Sequence, residues 1–437
     1  MKNLESVFEK LYNPATVAAS FESLNFAQDS HLTTKAYPQQ EYEIQKIIRP
    51  LFGKSGLNTE SLGAPPTLRD LIEPENHYIA TLFIDIKGST RLSLLHSLDE
   101  VYRFKNAVIQ TAIEAVRSLD GQVHRIMGDA VMAFFGGKNI EPENAVADAI
   151  NCTLILRSIL ENAIKPWMLS NGWDSKDIGF RVGLDFGRDE EVLWAAYGYT
   201  GNHEITATGL PVDMASKLQG LASKNEIMLG EGVLNFIDWP TEYSKIKKKI
   251  KNDEEIDVLY VTPNLTNRDG LSLNYEMKIL DYDKLLRLSP LPLEWKEELT
   301  TGCVKNKNIT LKCYWGAGKY ATVNRYHSSS KFLEKNIDLK FEVIANANAL
   351  YFPLTVKMTK TNHGKEARES GEEKTYKPEI QQIFAQKRNL YGNLPDTAPH
   401  VVFFEQTAYR GLHTMFCEVT DNRGDLVFRD AIGVFIK

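Results

Sequence analysis

ATLFIDIKGST (residues 80–90) and RIMGDAVMAFFG (residues 125–136) bound the stretch on which the fold turns. The first reads as a buried strand, apolar except for Asp85, that runs into a turn at Gly88. Ser89 and Thr90 stand where they can cap a following helix. Val101, Phe104, Val108, Ala112, Ile113, Val116 and Leu119 then recur mostly at spacings of three and four, so a long helix with one apolar face follows, and Gly121 stops it. Val123–Met127 and Ala130–Phe135 read as two short strands joined at Gly128-Asp129. Strands on either side of one crossover helix can pair, which sets Asp85 and Asp129 side by side at one sheet edge. Two carboxylates held close repel each other unless a proton or a divalent cation lies between them. The backbone amides around Lys87, Gly88 and Ser89, at a helix start, offer donors to a polyphosphate.

These two stretches resemble the first and second metal motifs of the class III nucleotidyl cyclases. The resemblance continues at RVGLDFG (residues 181–187) and GLPVDMASKL (residues 209–218) and covers residues 76–262. It implies an α+β fold, the ferredoxin-like palm of that family. It also implies an enzyme that moves a 3′-hydroxyl onto an α-phosphate and expels pyrophosphate. Two ions, Mg²⁺ or Mn²⁺, are implied per site, with Asp85, Asp129 and the Ile86 carbonyl as the metal set and Lys87, Gly88, Ser89 and Thr90 against the phosphates. In the family the base-reading and transition-state groups come from the partner protomer, so a homodimer is implied.

Carried over residue by residue, the motifs put Arg125 at the first base-reading position, four residues before Asp129. Adenylyl cyclases carry Lys there and guanylyl cyclases Glu. Thr206, seven residues before Asp213, falls at the second position, where adenine readers usually have Asp and sometimes Thr. Arg offers only donors and suits carbonyl oxygens or an unprotonated ring nitrogen. The pair therefore looks like that of the pyrimidine cyclases of the Pycsar antiphage system, which make cyclic UMP or cyclic CMP for a separate effector. Two carbonyls give uracil a slight lead over cytosine. The chain departs from the family at Asp213, in place of a ribose-orienting Asn, and at Lys217, in place of a transition-state Arg. An Asp213–Lys217 pair along one helix face is the expected compensation. An adenylyl cyclase with an unusual base pocket, or a silent nucleotide-binding module, are the alternatives.

The 437 residues are enough for two or three domains, and 43% hydrophobic with 25% charged residues is an ordinary globular balance. A net charge of −6 argues against a general nucleic-acid or anionic-membrane binder. No apolar run is long enough to span a bilayer, Met1-Lys2-Asn3-Leu4-Glu5 does not read as a signal peptide, and four scattered cysteines suit reduced thiols in a cytoplasmic protein. Residues 1–75 read as a helical and linker segment, with Leu4, Val7, Phe8 and Leu11 on one helix face, Glu41–Phe52 a second helix and Gly53–Pro66 a linker. The catalytic domain is expected over 76–263, a linker over 264–289 and a β-rich unit over 290–437. Within the catalytic domain, Asn144–Ile164 and Val212–Ala222 read as helices, and Ile178–Asp185, Glu191–Tyr199, Glu226–Leu229 and Asp257–Val261 as strands. Lys245–Lys251 reads as a solvated edge strand or hairpin, with one lysine a candidate for the triphosphate. Six alternating runs from Ile309 to Phe435 predict a small β-sandwich, with a hairpin turn at Asp421–Asp425 and a mobile charged loop over Lys360–Lys377. The terminal stretch from Thr407 to Phe435 resembles the sensor domain appended to bacterial signalling nucleotidyltransferases and cyclases.

Overall fold

The computed structural model describes residues 2–12, 42–261, 266–300, 302–318, 323–346, 350–386 and 397–437. Residues 13–41, within the expected N-terminal segment, lie outside them. The chain forms two units, residues 1–50, 54–233 and 246–279, and residues 51–53, 234–245 and 280–437.

In the first unit, α1 (Lys2–Tyr12) and α2 (Glu43–Ile48) precede a two-residue strand, β1 (Glu75–Asn76), and the central strand β2 (Ile79–Lys87). The single helix expected after Gly88 is two, α3 (Ser89–Leu95) and α4 (Leu98–Ser118). Neither Ser89 nor Thr90 caps: Gly88 holds the N-cap of α3 at a φ of 88°. A Cβ on Gly88 would lie 2.5 Å from the Asp177 carbonyl oxygen, so backbone angle and space both call for glycine. The side-chain cap belongs to α4, where Ser97 and Glu100 form a reciprocal capping box. The hairpin β3 (Gln122–Met127) and β4 (Ala130–Phe135) is as read. There follow α5 (Pro142–Ile159), a π turn over Leu160–Ile164, α6 (Lys165–Ser170), β5 (Gly179–Gly187), β6 (Leu193–Tyr199) and β7 (Asn202–Thr208). The unit ends with α7 (Leu210–Leu221), β8 (Ile227–Gly230), the hairpin β9 (Lys247–Lys251) and β10 (Glu254–Val258), and β11 (Met277–Leu280). The sequence reading misses β7, a mostly polar strand, and β11, which falls in the expected 264–289 linker.

Within this unit the main sheet runs β3–β4–β2–β5–β8–β11, antiparallel except for the parallel β5–β8 pair, and β1–β6–β7 form a second sheet. The apolar face of α4, including Val101, Phe104, Val108 and Val116, is buried. α7 lies against β5 at Gly183, where a Cβ would stand 2.2 Å from the Ala215 carbonyl oxygen and 2.4 Å from the Gln219 nitrogen. The N-terminal residues are part of this body. Phe8 packs edge-on against Phe104 and Trp167 at 6.0 and 5.3 Å between ring centroids. The expected linker over Gly53–Pro66 is also tied down, since the Arg49 guanidinium donates to the carbonyls of Gly56 and Ser55, and Gln45 and Asn58 bond each other in both directions.

The second unit carries α8 (Tyr282–Arg287), α9 (Leu293–Leu299) and the expected sandwich. Its strands are β12 (Ile309–Gly316), β13 (Asn324–Tyr326), β14 (Phe332–Leu333), β15 (Asp338–Ala345), β16 (Leu354–Thr361), β17 (Glu379–Ile383), β18 (His400–Gln406), β19 (Gly411–Thr420) and β20 (Leu426–Ile436). One sheet runs β13–β12–β15–β18 and the other β14–β20–β19–β16–β17. Alternate residues of both, among them Leu311, Phe341, Val356, Phe403 and Val419, form one core. The charged excursion over Lys360–Lys377 is built rather than loose. It begins in β16, forms the short helix α10 (Lys365–Glu369), and is held by the Arg368–Glu373 pair at 2.6 Å.

Gly183→Ala is expected to push α7 off the sheet and cost about 1–3 kcal/mol or more in urea unfolding. A second expectation concerns His413. Burial pushes its imidazole down to about 4, so below the unfolded value near 6.5 the unfolded chain binds the extra proton. Its stabilisation is therefore complete above about 6.5 and is lost as pH falls towards about 4, by up to about 3 kcal/mol. Unfolding of the C-terminal unit followed between pH 7 and pH 4 should show that slope, and His413→Asn should flatten it.

Candidate active site

The pleat of β2 decides where Asp85 stands. Asp85 is paired with Ala130 on one side and with Arg181 on the other. Asp129 adjoins Ala130 on the hairpin turn, so the register sets the backbones of the two acids at the ends of neighbouring strands. β2 is central in the sheet rather than an edge strand, because β5 covers its other side.

Each acid already has a cationic neighbour that the sequence reading does not identify. The Arg181 guanidinium donates to Asp85 Oδ2, through Nε at 2.8 Å and through Nη2. Asp129 Oδ2 accepts from the Ser89 hydroxyl and lies 3.4 Å from Lys105 Nζ. Ser89 is thus an arm for Asp129, not a helix cap. Directly opposed residues on paired strands share a face, which is why Arg181 reaches Asp85. Arg181 lies within one of the quoted motifs, but its partner is visible only once the strand register is known.

These contacts all fall on Oδ2 of each carboxylate. Among the described residues no cluster of three or more His, Cys, Asp or Glu side chains forms a metal cage. Two hard carboxylates without a cage fit Mg²⁺ or Mn²⁺, which bind through one or two carboxylates together with substrate phosphates. Ile86 sits opposite Phe180 in the β2–β5 ladder, next to Asp85. Lys87 and Thr90 are exposed on either side of Gly88, and Ser89 is buried.

The residues expected to read the base form a separate group. Arg125 on β3 and Glu204 on β7 make a bidentate pair, with Nε–Oε1 at 2.6 Å and Nη2 on Oε2. The hydrogen bond from Arg125 holds the Glu204 carboxyl below its ordinary range. His124 is buried, with Nε2 3.2 Å from Glu204 Oε1 but out of hydrogen-bond alignment. Burial pushes that imidazole down and keeps it neutral near pH 7. Thr206 is two residues beyond Glu204 on the same strand and therefore on the same face. The structure so joins Arg125 to Glu204, with Thr206 on the same face of β7, and Glu204 is the member that the unrecognised strand concealed.

Asp213 and Lys217 are exposed on the outer face of α7. Among the described residues they form no ion pair with each other, contrary to the compensation expected for them. No hydrogen bond or ion pair links the Asp85–Asp129 group to the Arg125–Glu204 group within the described chain. Of the basic run, Lys247 pairs with Glu226 at 2.6 Å and Lys248 with Glu255 at 2.8 Å in the expected solvated hairpin.

Residues 293–437 match the family model described as the adenylyl/guanylyl and SMODS C-terminal sensor domain. The chain is 39% identical over 402 residues to a cytidylate cyclase of Escherichia coli, covering 91% of this chain and 88% of that protein. It is 32% identical over 426 residues to a cytidylate cyclase of Staphylococcus aureus, covering 94% of each. Among solved structures, the adenylyl cyclase CyaB from P. aeruginosa aligns at a TM-score of 0.38 and 18% identity, covering 48% of this chain and 96% of that one. The guanylyl cyclase Cya2 aligns at 0.34 and 14%, covering 47% and 92%.

Arg181→Met strands the partly buried Asp85 carboxylate beside apolar surface. Denaturant unfolding should show a loss of about 1–3 kcal/mol, and Arg181→Lys should recover part of it.

Proposed function

The chain belongs to the class III pyrimidine nucleotide cyclases, and from that footing we propose that it converts CTP to 3′,5′-cyclic CMP and pyrophosphate at a homodimer interface. The juxtaposition of Asp85 and Asp129 by the β2–β4 register carries the catalytic part of this reading. Mg²⁺ or Mn²⁺ held there would acidify the attacking 3′-hydroxyl and neutralise the triphosphate. The chain's own groups do the rest. Arg181, Lys105 and Ser89 hold the two carboxylates in place. The backbone at Lys87–Thr90 faces the phosphates. Lys217 from the partner protomer meets the charge that develops on the transferred phosphorus, as a point charge without an arginine fork. Asp213 accepts from the ribose.

The choice of cytosine over uracil rests on the Arg125–Glu204 pair as well as on the cytidylate cyclases that the chain resembles. Cytosine presents acceptor, acceptor and donor along its O2, N3 and N4 edge, whereas uracil presents acceptor, donor and acceptor. Arg125 has five N–H donors, of which the ion pair uses two. A guanidinium fork beside a carboxylate offers donor, donor and acceptor, which complements cytosine and sets a fork N–H against the N3–H of uracil. Carboxylates accept from the cytosine amino group in this way elsewhere. Thr206, on the same face, completes the base pocket. The cyclic product would serve as a messenger in antiphage defence, read by a separate effector. Among the described residues no helix is long and apolar enough to cross a membrane.

Incubation of the purified chain with each of CTP, UTP, ATP and GTP in Mn²⁺, with products identified by mass, tests this. Cyclic CMP is the expected main product; cyclic UMP or cyclic AMP in its place overturns the cytosine assignment. Asp85→Asn and Asp129→Asn are each expected to lower product formation at least about 100-fold. Glu204→Gln should erode the preference for CTP over UTP by about tenfold, the worth of one base contact.

A further inference from the structure

A cavity of about 180 Å³ opens between the two sheets of the C-terminal sandwich, where β15 and β18 of one sheet face β16, β19 and β20 of the other. Leu339, Phe341, Met415, Val434 and Ile436 supply apolar lining, and all five are buried. Lys360 on β16 and Glu405 on β18 line it as well and pair across the gap between the sheets at 2.7 Å. We propose that this cavity is a binding site for a neutral, nucleobase-type heterocycle, read by Lys360 and Glu405.

Four observations carry the assignment. The first is size. A 150 Å³ apolar cavity holds one benzene ring, and drug-sized ligands need about 300 Å³ or more. A cavity of 180 Å³ therefore takes a single ring or a small fused ring with polar substituents. The second is charge. One ammonium and one carboxylate cancel, so the site has no excess cation for a phosphate and no excess anion for an amine.

The third is the hydrogen-bond pattern. Lys360 only donates, and an ionised Glu405 only accepts. A ligand that meets both needs an acceptor beside an N–H donor at the spacing of two hydrogen-bonding atoms, which is the arrangement along the edge of a nucleobase. Glu405 lies on the edge strand of its sheet, and inward charges on edge strands also deter strand pairing. That role requires no cavity behind the charge, whereas here the carboxylate lines one.

The fourth is that the walls are fixed before any ligand arrives. His413 Nε2 lies 2.7 Å from the Tyr409 carbonyl oxygen, and its Nδ1 accepts from the His363 N–H at 3.3 Å, which sets one tautomer and one ring orientation. The Tyr376 hydroxyl donates to Glu372, and Lys360 Nζ lies 4.5 Å from the centre of the Tyr376 ring. Tyr376 and Tyr409 thus line the polar side of the site. Such preorganisation lowers the cost of binding.

The test uses the full chain in EDTA, so that divalent ions do not hold nucleotides at the catalytic acids. Uracil, cytosine, adenine and hypoxanthine, with their nucleosides and 5′-monophosphates, are titrated by calorimetry. The expected result is 1:1 binding of at least one base or its nucleoside, with no gain in affinity from the 5′-phosphate. Lys360→Met and Glu405→Gln are each expected to weaken it at least tenfold. Met415→Trp fills the cavity and should abolish binding while cyclic nucleotide formation stays within twofold of the parent chain. Should that variant fail to fold, the two charge variants carry the result. Absence of binding by every probe at 10 mM (about −3 kcal/mol), binding that survives Met415→Trp, or binding that requires the phosphate overturns the proposal. Product formation is measured separately, so failure here leaves the cyclase reading intact, and failure of the cyclase assay leaves this one intact.

Discussion

Everything in the catalytic unit depends on how β2 is paired. With β4 on one side and β5 on the other, a single register sets Asp85 against Ala130 and against Arg181. A slip by one residue would turn Asp85 to the opposite face of the sheet and separate it from both its cation and Asp129. The register is held by burial. Ala80, Leu82, Ile84 and Ile86 are all buried, as are Val131, Ala133 and Phe135 on the neighbouring strand. Gly183 on β5 lets the α7 backbone settle directly on the strand opposite Phe83. The hydrophobic contacts of the sheet therefore position the charges at its ends.

Those charges are arranged so that each carboxylate of the candidate site has a partner within the chain. Arg181 serves Asp85, Lys105 and Ser89 serve Asp129, and Arg125 serves Glu204. Carboxylates drawn together without such partners would take up protons and lose their value as cation ligands. The cost of holding polar groups in place falls on folding, and a site built in this way needs little rearrangement during the reaction. It also makes Arg125 part of a donor-and-acceptor surface rather than a lone donor.

The sandwich treats charge differently. Its sheets meet in an apolar core, and the ion pair Lys360–Glu405 borders the cavity between them. The ring of His413 stays neutral because burial outweighs its hydrogen bond to the Tyr409 carbonyl and the charge of Glu366, and its two hydrogen bonds tie the turn at Tyr409 to the segment at His363.

Local chemistry in the sequence determined the hairpin carrying Asp129, the amphipathic face of α4 and the six main strands of the sandwich. Each is written in neighbouring residues, as apolar periodicity, turn glycines and caps, and those are short-range forces. The same short-range reading misplaced the helix cap at Ser89, passed over β7 because its polar residues lack strand patterning, and took the segments at Gly53–Pro66 and Lys360–Lys377 for loose chain. Only the tertiary structure decided that Arg181 meets Asp85, that Lys105 and Ser89 meet Asp129, that Glu204 meets Arg125, and that Asp213 and Lys217 stay apart. Partners of that kind lie on different strands and helices, and strand register, a cooperative result of burying the whole sheet, is what brings them within reach.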